Sequence, residues 1–117
     1  MVEDIISKEL LSEVLGVKIS SKYGVIGKDV KDNRFYYLLE GYKHIHSDAQ
    51  EINIHELAYK CKEWAWEQGY VINSHYAKDD CYARANNMVE FSIESKEKTE
   101  PEAVFKACQW ILENKDK

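Results

Sequence analysis

The chain has 117 residues, of which 44% are hydrophobic and 12% aromatic, and its formal net charge is -5. This length suits one folded domain, residues 1–117, and so much apolar sequence excludes an intrinsically disordered chain. The mild acidity disfavours nucleic-acid binding, which normally requires a basic patch. No uninterrupted apolar run approaches the roughly 18 residues of a membrane span, and the first residues are acidic where a secretory signal is basic. We therefore predict a cytoplasmic protein without a membrane or nucleic-acid partner.

The first helix is predicted over residues 2–15, where apolar side chains recur at about every fourth position. Gly16 follows these residues and provides a helix stop. The apolar arc is broad for so short a helix, so we expect it to pack against another element.

Short strands are predicted between this helix and the middle of the chain. Residues 17–20, 23–26 and 34–39 are rich in β-branched and aromatic residues, which favour strands. Residues 27–33 are typical of a turn, and the polar residues 41–51 indicate an irregular loop.

The strongest secondary-structure signal is a helix from Ile54 to Gln68. Asn53 is a favourable N-cap, and Glu56, three residues later, completes a capping box. Gly69 follows the last helical residue, where a left-handed backbone conformation commonly ends a helix. Apolar residues at helical spacing predict the face that enters the core: Ile54, Leu57, Ala58, Cys61, Trp64 and Ala65.

A meander and a last helix are predicted after Gly69. Strands at residues 70–76, 81–85 and 88–93 are separated by turn residues, including Asn86–Asn87. Residues 95–98 are predicted as a charged loop.

The last helix is predicted from Glu100 to about Asn114, after Thr99 at the cap position of a second capping box. Its apolar residues cover roughly 220° of the circumference, so we expect neighbours on more than one side. The predicted fold is therefore α+β, in the order α-β-β-α-β-β-β-α. An antiparallel sheet of about five strands would be packed in layers against three helices.

Four segments together resemble a known family: ISKELLSEVLG (residues 6–16), YKCKEWAWEQGY (59–70), VEFSI (89–93) and TEPEAVFKACQWILE (99–113). They are similar to segments of the phage ABA-sandwich family, small proteins of phages and prophages named for their helix, sheet and helix layers. The resemblance implies a sandwich fold and a phage or prophage origin. The family carries no catalytic motif, so the resemblance assigns no site residue.

A second stripe of the central helix lies away from its apolar face. His55, Tyr59, Lys62 and Trp66 are spaced by four, three and four residues, which aligns them on one side. We call these four residues the aromatic stripe. Because Tyr and Trp are favoured at interfaces, it is a candidate surface for self-association or for a partner protein. The alternative is that the stripe borders the sheet edge or another helix.

The two arginines of the chain each share a strand face with a tyrosine. Arg34 and Tyr36 form one pair, and Tyr82 and Arg84 form the other. A guanidinium offers a planar fork for phosphate or carboxylate, and a tyrosine ring offers a stacking surface for a base. These four residues are our candidates for binding a nucleotide-like ligand. The alternative is an ordinary cross-strand cation–π or salt-bridge pair on a solvated face.

Histidines were considered as metal ligands. His44 and His46 form an H-x-H pair, and Asp48, His55 and His75 are the further ligands available. The spacing does not match a helical H-E-x-x-H zinc motif, so we predict solvated loop histidines, no metal and no cofactor.

The three cysteines are predicted to be buried and reduced. Cys61 and Cys108 lie on apolar helix faces, Cys81 lies in a predicted strand, and no two form a C-x-x-C pair.

Three hypotheses about function follow. Two are not enzymatic, because the sequence contains no recognisable nucleophile–base or metal constellation, and the third is a metal-dependent enzyme that uses His44 and His46. The first is a phage- or prophage-derived binding protein that antagonises host antiviral defence. It would act by stoichiometric binding of a defence protein or by sequestration of a nucleotide-like signal. The second is a structural or accessory phage protein that self-associates into a homo-oligomer through the aromatic stripe and the spare apolar surface of the last helix.

Overall fold

A computed structural model describes residues 6–20, 25–29, 33–87 and 91–114. These ranges contain four helices and six strands: α1 (Lys8–Leu15), β1 (Val25–Asp29), β2 (Arg34–Tyr37), α2 (Ile45–Asp48), β3 (Gln50–Asn53), α3 (Ile54–Glu67), β4 (Val71–Ala77), β5 (Asp80–Asn86), β6 (Phe91–Glu97) and α4 (Glu100–Asn114). The predicted α+β class is confirmed, and the order of the longer elements agrees with the prediction. Within the described ranges, no helix is long and apolar enough to cross a bilayer.

The strands form two antiparallel sheets of three, in the orders β1-β2-β3 and β4-β5-β6, where one sheet was expected. In the second sheet, β4 and β5 pair along their full seven-residue lengths. In the first, β2 pairs with β3, so that Phe35 lies opposite Ile52. The prediction of an irregular loop at residues 41–51 was therefore wrong for α2 and for the start of β3. Only Ile52 of β3 is buried, and such a polar edge strand lacks the alternation that identifies strands in a sequence.

The first helix is shorter than predicted. It begins at Lys8, and the side chain of Ser7 caps it by accepting a hydrogen bond from the backbone N–H of Leu10 at 3.1 Å. Residues 1–5 lie outside the described residues. The predicted stop is confirmed, since Gly16 has a φ of 68°.

Two boundaries differ on either side of β1. The predicted strand at residues 17–20 is reduced to an isolated bridge between Ile19 and Leu39. The strand predicted at residues 23–26 agrees with β1 at residues 25–26, and residues 23–24 lie outside the described residues. The predicted turn at residues 27–33 was wrong for residues 27–29, which belong to β1. Residues 30–32 are likewise not described, and Asn33 is in a turn with a φ of 55°. Strand alternation predicted that Leu38 and Phe35 lie on different faces, yet both side chains are buried. The reason is that β2 ends at Tyr37, so the alternation of faces does not extend to Leu38.

The last two strands also differ from the prediction in their bounds. β5 includes Asn86, which was predicted in the turn, and residues 88–90 lie outside the described residues. The charged loop predicted at residues 95–98 was wrong for residues 95–97, which pair with β5. Lys96 is exposed while the hydroxyl of Ser95 donates to the backbone carbonyl of Ala103 in α4 at 2.5 Å. The charged residue therefore occupies the solvent side of a regular strand.

The central and last helices agree closely with the prediction. Asn53 caps α3 through its Oδ1, which accepts hydrogen bonds from the N–H groups of His55 and Glu56 at 2.9 and 3.2 Å. The Oγ1 of Thr99 accepts from the N–H of Glu102 at 3.3 Å at the start of α4. The buried residues of α3 are the six predicted: Ile54, Leu57, Ala58, Cys61, Trp64 and Ala65.

One hydrophobic cluster connects these elements. α4 packs on the second sheet and against α3, which confirms that it is covered on more than one side, and α3 also contacts β4, β3 and α1. The rings of Phe35 and Phe105, 5.9 Å apart, join the first sheet to α4. α3 is thus held from several sides, and its remaining side is left to solvent.

Candidate functional site

The aromatic stripe lies on the solvent side of α3. Tyr59 and Trp66 are each 64% exposed, and His55 is also exposed. Lys62 is half-buried because its ammonium reaches β4, where it donates a hydrogen bond to the hydroxyl of Ser74 at 3.0 Å. Lys62 therefore joins the stripe to the sheet, and the two large aromatic side chains remain largely exposed.

Tyr76 adds a further aromatic side chain beside α3, and sequence reasoning missed it. It lies two residues beyond Ser74 on the same face of β4, and it is 73% exposed. Since Ser74 contacts Lys62, this is the face of β4 that lies toward α3. The alternation of β4 gives the face of Tyr76, but the sequence does not show that α3 leaves this position uncovered.

A small cavity of about 350 Å³ opens beside Trp66 and is lined by Lys62, Glu63, Trp66 and Glu67. Glu63 and Glu67 are exposed, and neither has a hydrogen-bond or ion-pair partner in the described part of the chain. They are four residues apart on one helix, so their like charges repel. Glu67 also ends α3, where the helix dipole is negative and no basic residue occupies the last turn. The exposed indole therefore lies in a negative electrostatic environment.

The two Arg–Tyr pairs lie on different sheets, Arg34 and Tyr36 on β2 and Tyr82 and Arg84 on β5. The four residues predicted to bind a ligand thus do not share one sheet face. Each arginine is paired with a glutamate of the adjacent strand. The guanidinium of Arg34 binds the carboxylate of Glu51, and Nη2 of Arg84 lies 3.0 Å from Oε2 of Glu94. The cross-strand ion pairs that we considered as the alternative are therefore present.

The pair of Tyr82 and Arg84 on β5 has an aromatic neighbour that the sequence did not indicate. The ring of His75 on β4 stacks on that of Tyr82, with centroids 5.4 Å apart and an angle of 13° between the planes. His75 and Arg84 are exposed on this face of the sheet, and Tyr82 is half-buried. Cross-strand register places His75 opposite Tyr82, but that register is known only once the turn between β4 and β5 is located.

Acidic and basic side chains pair at one end of the sheet face that carries Tyr82 and Arg84. Lys98 donates a hydrogen bond to Oδ1 of Asp80 at 3.1 Å, and the ammonium of Lys96 lies 3.5 Å from Oδ2. The hydrogen bond from Lys98, with the positive charges of both lysines, lowers the pKa of the Asp80 carboxyl below its usual value.

Three of the histidines considered for metal binding lie on or beside separate elements, and the side chain of His46 lies outside the described residues. His44 is exposed at the start of α2, His55 lies on α3 and His75 on β4. In the part of the chain that the structure describes, no three His, Cys, Asp or Glu side chains are grouped so that they could hold a metal ion.

The three cysteines are free and buried, as predicted. The thiol of Cys108 donates a weak hydrogen bond to the carbonyl oxygen of Cys61 at 3.5 Å. The neighbouring Cys108 side chain, together with burial, raises the pKa of Cys61 well above its usual value. These thiols are placed for packing between α3 and α4.

A larger, shallow cleft of about 840 Å³ lies between α1 and the end of α4. Its lining is mixed: Lys8 and Lys18 contribute positive charge, Glu13 and Glu113 contribute negative charge, and apolar side chains lie between them. Such a lining favours no single ligand chemistry.

Comparison of the chain with protein-family models, with curated proteins and with solved structures gave no match.

Proposed function

We propose that this chain is a non-catalytic binding protein of phage or prophage origin, which antagonises a host antiviral defence by stoichiometric binding of a defence protein. The aromatic stripe of α3 is the contact surface. The proposed origin rests on the family resemblance of residues 6–16, 59–70, 89–93 and 99–113.

The observation that supports this function is the exposure of Tyr59 and Trp66, 64% each, on a helix whose opposite face is fully packed. Large aromatic side chains on a rigid element lose little conformational entropy on binding, and they supply much of the energy of protein interfaces. Tyr76, at 73% exposure, adds an exposed aromatic side chain on the face of β4 that lies toward α3.

The test is co-purification from a lysate of the bacterial host with the wild-type chain and two variants. Trp66→Ser should lose the co-purified host protein. Tyr42→Ser, which removes a 51% exposed aromatic side chain in the loop before α2, should retain it. Retention of the same host protein at the same yield by Trp66→Ser would exclude the aromatic stripe as the contact surface.

A second candidate function is sequestration of a nucleotide-like signal, for which the stack of His75 on Tyr82 beside Arg84 is the supporting observation. A base would stack on the aromatic rings, and Arg84 would bind a phosphate after exchanging Glu94 for it. Because Arg34 and Tyr36 lie on the other sheet, they would form a separate site. Arg84→Ala should then abolish nucleotide binding while Arg34→Ala retains it. Equal nucleotide affinity of Arg84→Ala and the wild type would reject this function.

Self-association through the aromatic stripe, as a structural phage protein, is the remaining alternative, and it rests on the same exposed residues. It requires a homo-oligomer in the wild type and a monomer in Trp66→Glu. A wild-type solution mass that persists in Trp66→Glu would contradict it.

A further inference from the structure

We propose that the cavity beside Trp66 binds a cationic side chain of the partner, an arginine held between the indole ring and the carboxylates of Glu63 and Glu67. This inference rests on the proposed function, since it names the chemistry that the partner presents to the aromatic stripe. The partner would therefore approach with a basic segment.

The three residues lie together by helix geometry. Glu63 is three residues before Trp66 and four before Glu67, so both of these residues are its neighbours on the helix surface, and the two carboxylates lie on one side of the indole. The cavity of about 350 Å³ is at the small end of the range for ligand pockets, which suits one side chain better than a whole small molecule.

The charges at this end of α3 favour a cation. The two carboxylates repel each other, and the negative end of the helix dipole adds to the potential. Neither carboxylate has a partner in the described part of the chain, so a bound cation would not have to displace one. Two interactions are therefore unfavourable in the unbound helix: the repulsion between the two carboxylates, and the repulsion between Glu67 and the negative end of the helix dipole. A bound positive group relieves both of them.

Lys62, which also lines the cavity, does not cancel this potential. Its ammonium is 3.0 Å from the hydroxyl of Ser74 on β4, and this hydrogen bond holds its charge on the sheet side. The carboxylates of Glu63 and Glu67 therefore remain the charged groups available to a ligand.

The aromatic ring selects the type of cation. Tryptophan has the most favourable ring for cation–π contacts, and arginine makes them more often than lysine. A guanidinium stacked on the indole also directs its N–H groups outward in its own plane, where the carboxylates beside the ring can accept them. An arginine therefore satisfies both the ring and the carboxylates.

The test uses a blocked Arg-Gly-Arg-Gly-Arg peptide and its citrulline counterpart, which keeps the shape of each side chain without the charge. Both are titrated into the protein while the NMR signal of the Trp66 indole N–H is followed. The arginine peptide should give a saturable shift of this signal, and the citrulline peptide should give none. A Glu63→Gln/Glu67→Gln variant should bind the arginine peptide at least about fivefold more weakly.

A Glu9→Gln/Glu40→Gln variant is the matched control, because it removes the same charge from exposed positions elsewhere and should bind like the wild type. Equal shifts with both peptides, or equal affinities of the two double variants, would overturn the inference. If peptide binding fails but Trp66→Ser still loses the host protein, the cationic partner is rejected and the contact surface stands. If Trp66→Ser also keeps the host protein, the proposed function is rejected as well.

Discussion

Lys62 and Ser74 form the contact that joins the exposed side of α3 to β4, with the ammonium nitrogen 3.0 Å from the hydroxyl oxygen. Since the two groups are partly buried, this hydrogen bond fixes the position of the positive charge of Lys62, the lysine of the aromatic stripe. One consequence is structural, because the lysine is held toward the sheet. The other is electrostatic, because the side of the helix around Trp66 is left negative.

The Lys62–Ser74 contact predicts that two substitutions affect binding of the arginine peptide differently. Ser74→Ala frees the ammonium to approach Glu63 and Glu67, and it should weaken binding by about threefold. Lys62→Met removes a charge that Ser74 already holds on the sheet side, so this variant should bind the peptide within about twofold of the wild type. The measurement is the titration of the Trp66 indole signal. Equal affinities of Ser74→Ala and the wild type would show that the contact does not control the charge of the cavity.

The contact between the first sheet and α4 predicts a large loss of stability on truncation of Phe105. The side chain is fully buried against Phe35, so Phe105→Ala should lower the free energy of unfolding by about 3–5 kcal/mol. Urea denaturation followed by circular dichroism measures this. Tyr42→Ala, at an exposed aromatic position, should change stability by less than about 0.5 kcal/mol. A loss below about 1 kcal/mol for Phe105→Ala would show that the ring is not part of the core.

The N-cap of α3 predicts a smaller loss of stability than the truncation of Phe105. Asn53→Ala removes the acceptor for two backbone N–H groups and should lower the free energy of unfolding by about 1 kcal/mol. Asn73→Ala, at an exposed position of β4, provides the control in the same denaturation experiment and should be near neutral. Equal stabilities of the two variants would contradict the cap.

The buried thiols predict that cysteine chemistry is blocked in the folded protein. The neighbouring Cys108 side chain and burial raise the pKa of Cys61, and burial raises the pKa of Cys81, so at pH 8 both remain thiols and lack the nucleophilic thiolate. Iodoacetamide should label none of Cys61, Cys81 and Cys108 in buffer and all three in urea, as read by peptide mass spectrometry. Rapid labelling of Cys61 in buffer would mean that α3 and α4 separate under native conditions.

The sequence predicted those elements whose signals are local. α3 and α4 carry a cap residue and an apolar face at helical spacing, and both features act within one element, so Asn53 and Thr99 were found correctly. β3 was missed because it is a strand through its hydrogen bonds to β2, and the residues of Gln50–Asn53 do not themselves predict that pairing. The division into two sheets likewise depends on contacts between distant segments.

The candidate site was predicted in part for the same reason. The aromatic stripe follows from helical spacing alone, and the structure places Tyr59 and Trp66 in solvent. The Arg–Tyr pairs were read correctly along each strand, but strand pairing decides which acid meets each arginine and separates Arg34 from Arg84. The exposure of Tyr76 depends on the packing of α3 on β4, which no local pattern contains, whereas the cavity beside Trp66 is lined by residues of α3 alone.

The most direct test of the central claim is native mass spectrometry of complexes purified from host cells with the wild-type chain and with Trp66→Ser. We predict a stoichiometric complex of the wild-type chain with one host protein and an unbound chain for Trp66→Ser. The same complex mass for both proteins would contradict the account, because binding would then not depend on the aromatic stripe. A wild-type chain that is recovered only alone, or only with copies of itself, would contradict the proposed antagonism of a host protein.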